Sequence, residues 1–227
     1  KRMIIFFDLE TTGLDNSTAE IVERYAKVYE PDSTSPREFH KFALPSYGKP
    51  VENAYFHGYS REVLHLKYAI SQKECLKEFK KWIDQQMESL VGNEECFLVG
   101  YNSFRYDFII LHNLCNYYGI QFETNKLRFS DVYYVLKHSS YKKMFNNLQL
   151  RTVYEDLYQH IPDNEYHHAD FDTLILSQIY EYFKNLKKVA IIIADTYNCP
   201  NIFDINDELN MCSIDTLNFE EFSSLQY

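Results

Sequence analysis

Ile4 to Leu14 reads IIFFDLETTGL, so an apolar run with the look of a buried strand ends in two carboxylates, Asp8 and Glu10. On an extended strand residues i and i+2 point to the same side, so these two acids project together. Like charges held that close repel. One must take a proton, or both must share a cation. Alone, the stretch reads equally as a strand closed by an acidic turn at Thr11-Thr12-Gly13. The cation chemistry needs partners from elsewhere in the chain.

Two further segments offer them. GYNSFRYDFIIL, Gly100 to Leu111, places Asn102 at the end of an apolar strand and Asp107 at the entry to a helix. Functional groups in open α/β sheets gather at the carboxyl ends of strands. HHADFDTLIL, His167 to Leu176, sets two histidines at a loop end and Asp172 in the first turn of a helix. Each is ambiguous by itself. A His-His pair is commonly surface polarity, and Asp170 reads as an acid complementing a helix dipole.

The elements that must position these groups follow from apolar spacing. Strands are expected at Arg2–Phe7, Ile21–Tyr29 and Glu38–Leu44, with prolines 31, 36, 45 and 50 punctuating the connections. A short helix starts at Ser60. Leu76, Phe79, Ile83, Met87 and Leu90 keep the helical period across Lys73–Leu90. CFLVGY, Cys96–Tyr101, is a fully apolar strand of the buried kind. Helical stretches follow at Tyr106–Tyr118, Val132–His138 and Leu148–Tyr158, with a short strand at Phe129–Asp131. A loop with Pro162 leads into a long helix at Ala169–Leu186. Val189–Ala194 reads as a closing strand or a helix end, and from Asp204 the chain reads as an acidic tail. Strands first, then strand and helix alternating, indicate an α/β domain with a mixed sheet.

Composition narrows the function classes. With 227 residues, 45% of them apolar, the chain can bury a core. A net charge of −10 argues against a protein that coats duplex DNA, which needs a broad basic face. It leaves room for a nuclease with a small acidic pocket filled by metal. The five cysteines are odd in number and form no CxxC, which suits free thiols in a reducing compartment, cytoplasm or nucleus. No run of 18 apolar residues is present and no secretory signal precedes the first strand, so neither a membrane span nor secretion is expected.

The three acidic segments, in this order and spacing, resemble the DEDDh branch of the DnaQ-like 3′–5′ exonucleases. FDLETTGL matches the family's opening motif, Asn102-x4-Asp107 its second, and His167-x-Ala169-x2-Asp172 its third. AYFHGYSREVL, Ala54–Leu64, and LQL, Leu148–Leu150, add weaker likeness, so the resemblance spans about Met3 to Leu186. It implies an α/β ribonuclease-H-like fold, a central mixed β-sheet flanked by α-helices, over residues 1–188, with 189–227 as a C-terminal extension. It implies Asp8, Glu10, Asp107 and Asp172 as carboxylates for two Mg²⁺ or Mn²⁺ ions and His167 as general base. His168 is the alternative if the last helix begins earlier.

The resemblance also marks candidate substrate contacts. These are the backbone of Thr11 and the side chain of Leu14 at the terminal nucleotide, His57 and Tyr59 at the next base, and Asn102 and Arg105. Arg105 reads equally as a solvated or paired arginine. Tyr101, Phe104 and Tyr106 are read as core rather than stacking platforms. The expected substrate is a single-stranded 3′ end of nucleic acid, with DNA favoured because the first motif is closest to proofreading and repair members. RNA trimming is the alternative within the enzyme class. A catalytically silent binding module on the same fold is the other class, and the complete acid-and-histidine set speaks against it. The acidic tail and the start at Lys1 fit a piece of a larger replication or processing assembly. No oligomeric state is read.

Overall fold

A computed structural model of the chain describes residues 2–122, 126–138, 140–160 and 167–197. The Pro162 loop, Cys199, Cys212 and the stretch from Asp204 lie outside the described residues. The core is a six-stranded mixed sheet of order β4-β3-β2-β1-β5-β6. β1, Arg2–Thr11, is central. Its odd residues Ile5, Phe7 and Leu9 enter one apolar cluster, while Ile4 and Phe6 meet the other. Asp8 and Glu10 continue the even set, so both acids share a face with Phe6.

β2 (Ile21–Val28) and β3 (Glu38–Leu44) complete an antiparallel meander with β1. β5 (Glu95–Gly100) pairs parallel to β1, and β6 (Leu127–Asp131) parallel to β5. β4 is only Ile70–Ser71, parallel to β3. β1 runs four residues past the expected end at Phe7, because β2 supplies a pairing partner as far as Thr11. The ladder sets Asp8 against Tyr25 and Glu10 against Glu23, then shifts register between Glu10 and Thr11. The two acids therefore stand inside a paired strand, and the irregularity follows them.

The helices cover both faces. Two short ones, α1 (Ala54–His57) and α2 (Arg61–Leu66), follow β3. α3 (Gln72–Met87) and α4 (Asp107–Tyr118) pack Leu76, Phe79, Ile83, Phe108 and Leu111 against the face of Ile5 and Phe7. Ser71 caps α3 through the Glu74 amide at 3.2 Å. On the other face lie α5 (Val132–Lys137), α6 (Leu150–Tyr158) and α7 (Ala169–Tyr197). Val153, Ile175, Leu176, Ile179 and Phe183 there meet Phe6, Phe97 and Val99. Adjacent Phe6 and Phe7 are each fully buried on opposite faces, roughly 1.5–3 kcal/mol apiece. Val189–Ala194 belongs to α7, not to a closing strand. Among the described residues no helix is long and apolar enough to cross a membrane, and Cys75, Cys96 and Cys115 are buried free thiols.

Candidate active site

The sheet, α4 and α7 converge on the acids of β1. Asp107 is the first residue of α4 and is buried, and Asp172 sits in the first turn of α7. Asp8, Glu10 and Asp172 are half-buried. Ligand atoms of Glu10, His167 and Asp172 all lie within 4.8 Å of one another. Asp8 and Asp107 join this group through their charge. Burial raises the Asp8 carboxyl well above its ordinary range, and Asp107, Asp172, Glu10 and Glu23 raise it further. Burial, then Asp172, Glu23 and Asp107, push Glu10 up to about 9. Burial holds Asp107 and Asp172 at about 7. For Asp107 the Ser103 hydroxyl, donating to Oδ2 at 2.9 Å, pulls the other way.

These shifts have a sign. A carboxyl whose folded pKa exceeds its unfolded value, near 4, stabilises the fold fully below that value and loses the contribution as pH rises through the folded pKa. Chelated protein is expected to lose denaturation midpoint as pH rises from about 5 toward 9, the window set by the values of about 7 and about 9. Mg²⁺ should restore the midpoint most at the alkaline end. Urea melts across that range, with EDTA and with Mg²⁺, measure it; a flat midpoint in EDTA would contradict the crowding.

His167 precedes α7 in a left-handed conformation, φ 74°. A non-glycine residue there costs on the order of 1–3 kcal/mol and persists only when its surroundings hold it. Its amide donates to Asp172 Oδ2 at 3.2 Å. The other oxygen of Asp172, Oδ1, is buried with no hydrogen-bond partner among the described residues. Burial, then His168, lowers the His167 pKa, which keeps the ring neutral to lower pH. The His168 ring turns elsewhere: its Nδ1 pairs with the Tyr59 hydroxyl. His167 is thus the histidine beside the carboxylates.

The expected substrate contacts divide. Leu14 is 72% exposed, and Asn102 and Arg105 are also exposed. Asn102 is left-handed, φ 57°, and the Arg105 carbonyl accepts from Asn16 Nδ2 at 2.7 Å. The Thr11 side chain is buried; its hydroxyl bonds the Gly13 carbonyl at 3.1 Å and the Tyr106 hydroxyl at 2.6 Å. His57 differs from the expectation that it faces a base. It is buried, Nε2 donates to the Thr11 carbonyl at 3.0 Å, and Nδ1 accepts from the Tyr59 amide at 3.1 Å. With both ring nitrogens occupied, it holds the backbone behind Glu10. Tyr59 is buried against it. Phe104 is buried, the Tyr101 hydroxyl donates to the Leu148 carbonyl at 2.8 Å, and the half-buried Tyr106 hydroxyl bonds Thr11 and Gly13.

Two buried acids escaped the sequence reading. Asp131 closes β6 and caps α5, accepting the Tyr134 amide at 3.2 Å; it also takes the amides of Asn102 at 2.9 Å and Phe104 at 3.0 Å. It ties down the loop that delivers Asp107. Its signal was an aspartate immediately before a helical run. Gly100 serves the same loop, since a Cβ there would stand 1.9 Å from the Ser103 hydroxyl that bonds Asp107. Glu23, across from Glu10, gave no signal beyond its place in a strand.

The RNase_T family of exonucleases matches residues 5–180, a stretch that contains all four acids and His167. The chain belongs to the RNase_T exonuclease family. Its DnaQ-like, ribonuclease-H-like character is what the acidic motifs led one to expect, and a nucleic acid is the substrate class of such a family. Among curated proteins this RNase_T domain is similar to the PolC-type DNA polymerase III of Mycoplasma genitalium, 23% identical over 215 residues. That match takes in 94% of the chain but only 13% of the polymerase. Among solved structures it resembles cell-death related nuclease 4 (CRN-4), with TM-score 0.61, 14% identity, 81% of this chain and 64% of that one. It equally resembles Exonuclease I from Methylocaldum szegediense, with TM-score 0.61, 14% identity, 82% of this chain and 41% of that one. At such identity the two structures carry the mixed-sheet fold and no more.

Proposed function

We propose that this RNase_T-family domain is a divalent-metal-dependent 3′–5′ exonuclease that releases nucleoside monophosphates from single-stranded ends, DNA in preference to RNA. The observation that carries the reading is the convergence of carboxylates from β1, α4 and α7 beside one histidine. The donor set suits hard cations such as Mg²⁺ or Mn²⁺, which take oxygen ligands. The unpartnered Asp172 Oδ1 and the raised carboxyls are what a site completed by cations would show. Asp8, Glu10, Asp107 and Asp172 would hold two ions. Bound there, paired cations supply charge stabilisation to the attacking and leaving oxygens of a phosphodiester.

The chain's own groups do the rest. His167, neutral near pH 7, accepts the proton of the attacking water. Ser103 fixes one oxygen of Asp107, and the His57 bond to Thr11 steadies the backbone beside Glu10. Exposed Leu14, Asn102 and Arg105 are the groups available to the terminal nucleotides. The 3′–5′ direction and the DNA preference rest on the motif likeness, and the polymerase relative supports the second. The same relative supports work within a replication assembly. Residues 1–188 are assigned as the exonuclease domain and 189–227 as its extension, and the free buried thiols suit a reducing, intracellular compartment.

The test is a single-stranded DNA oligonucleotide labelled at its 3′ end, incubated with Mg²⁺. Labelled mononucleotide should appear first and cease with EDTA, and a circular single strand should survive. Early loss of a 5′ label, or cutting of the circle, overturns the direction. An RNA of the same sequence should be cut about 10-fold more slowly, since a DNA-fitted pocket resists the 2′-hydroxyl; faster RNA cleavage reverses the preference.

A further inference from the structure

Glu23 is a buried carboxylate that the proposed chemistry does not use. It is 1% exposed and stands opposite Glu10 on the neighbouring strand, where its charge burdens Asp8, Glu10 and Asp172. A buried charge in such company is costly unless its oxygens are engaged. Both are. Oε2 accepts the backbone amide of Ala169 at 3.0 Å, and Oε1 meets His40 Nε2 at 2.7 Å. The Tyr59 hydroxyl, raised well above its ordinary pKa by burial and by the Glu23 charge, also pairs with the His168 ring.

Ala169 is the first residue of α7, so its amide belongs to the helix-end donors that have no partner within the helix. Glu23 caps that end from an adjacent strand, and its charge complements the helix dipole. The turn before α7 is consequently pinned three times. His167 is held through its amide by Asp172, His168 through its ring by Tyr59, and Ala169 through its amide by Glu23. The left-handed backbone of His167 lies between these pins.

We propose that Glu23, braced by His40, is the positioning residue that sets the register in which His167, and not His168, faces the acid cluster. This rests on the reading that His167 acts in the hydrolysis. Glu23 touches no reacting atom; it works through the turn. Its loss frees the α7 amide and lets the His167 backbone relax, which carries the ring off the carboxylates.

The experiment compares Glu23→Ala, Glu23→Gln and His40→Ala on a single-stranded oligonucleotide. Misplacement of a catalytic group costs on the order of 10²-fold, so Glu23→Ala should lose about that in kcat with KM nearly unchanged. Glu23→Gln keeps an oxygen for the Ala169 amide and should recover most of the loss. His40→Ala, at a partly exposed site, should lose roughly 10-fold, the low end of the worth of one charge-assisted hydrogen bond. Adding Glu23→Ala to His167→Ala should cost nothing more. Wild-type kcat in Glu23→Ala or in His40→Ala, or a Gln variant no better than the Ala variant, overturns the inference. Should Glu23→Ala fail to fold, His40→Ala and Glu23→Gln decide by the same criteria. An inactive wild-type protein, or a fully active His167→Ala, defeats the functional reading instead.

Discussion

Asp8→Asn is expected to abolish nucleotide release while making the chelated protein more stable. Asp8 stands where the fields of Asp107, Asp172, Glu10 and Glu23 meet. On the proposed two-ion reading the substitution removes a metal-holding carboxylate, and activity should fall at least about 10³-fold. The same change relieves repulsion among buried carboxylates. The chelated protein should gain about 1–2 kcal/mol, since sites built for function hold strain that substitution releases. For a chain of this size that is roughly 2–8 °C in Tm. Activity and Tm therefore move in opposite directions, which a substitution that merely damages the fold cannot produce. Matched melts in EDTA and turnover in Mg²⁺ check both. A variant less stable than the parent in EDTA would show that the acids do not crowd one another.

His167→Ala should slow turnover by roughly 10²–10⁴-fold, the usual worth of a general base. His168→Ala should cost less, because it removes only the Tyr59 pin on the turn and leaves the ring beside the carboxylates in place. The adjacent pair makes an internal control, since both substitutions disturb the same turn. Turnover rates at saturating oligonucleotide measure the difference. Equal loss in the two variants, or the larger loss in His168→Ala, would assign the base to the wrong ring.

The acids were legible because their spacing encodes geometry. Asp8 and Glu10 alternate with Ile5, Phe7 and Leu9, which fixes their common face before any fold is known. Asn102 and Asp107 straddle a strand end and a helix start, and the structure places them so. Lengths were harder. β1 continues to Thr11 because β2 pairs with it, and no local pattern reports a partner in space. α1 spans four residues and β4 two, too short for any period to register.

Glu23 and Arg24 were the least legible. Consecutive charges in a strand suggest one exposed side, yet β2 lies between two strands with helices over both faces. Glu23 points toward α7, and Arg24 is fully buried on the α3 side, its guanidinium 4.5 Å from the Phe79 ring. His57 was legible in place but not in role. The resemblance marked it as a contact to a base, and only its two backbone partners reveal it as a fixed internal strut.

Titration of the metal-free chain with Mn²⁺, followed by calorimetry, tests the central claim most directly. Saturable uptake approaching two ions per chain is expected at pH 8, with proton release growing as the pH is lowered toward 6, and with uptake lost in a variant carrying both Asp8→Asn and Asp172→Asn. A wild-type chain that takes up no more Mn²⁺ than that double variant would mean the converging carboxylates are not a cation site.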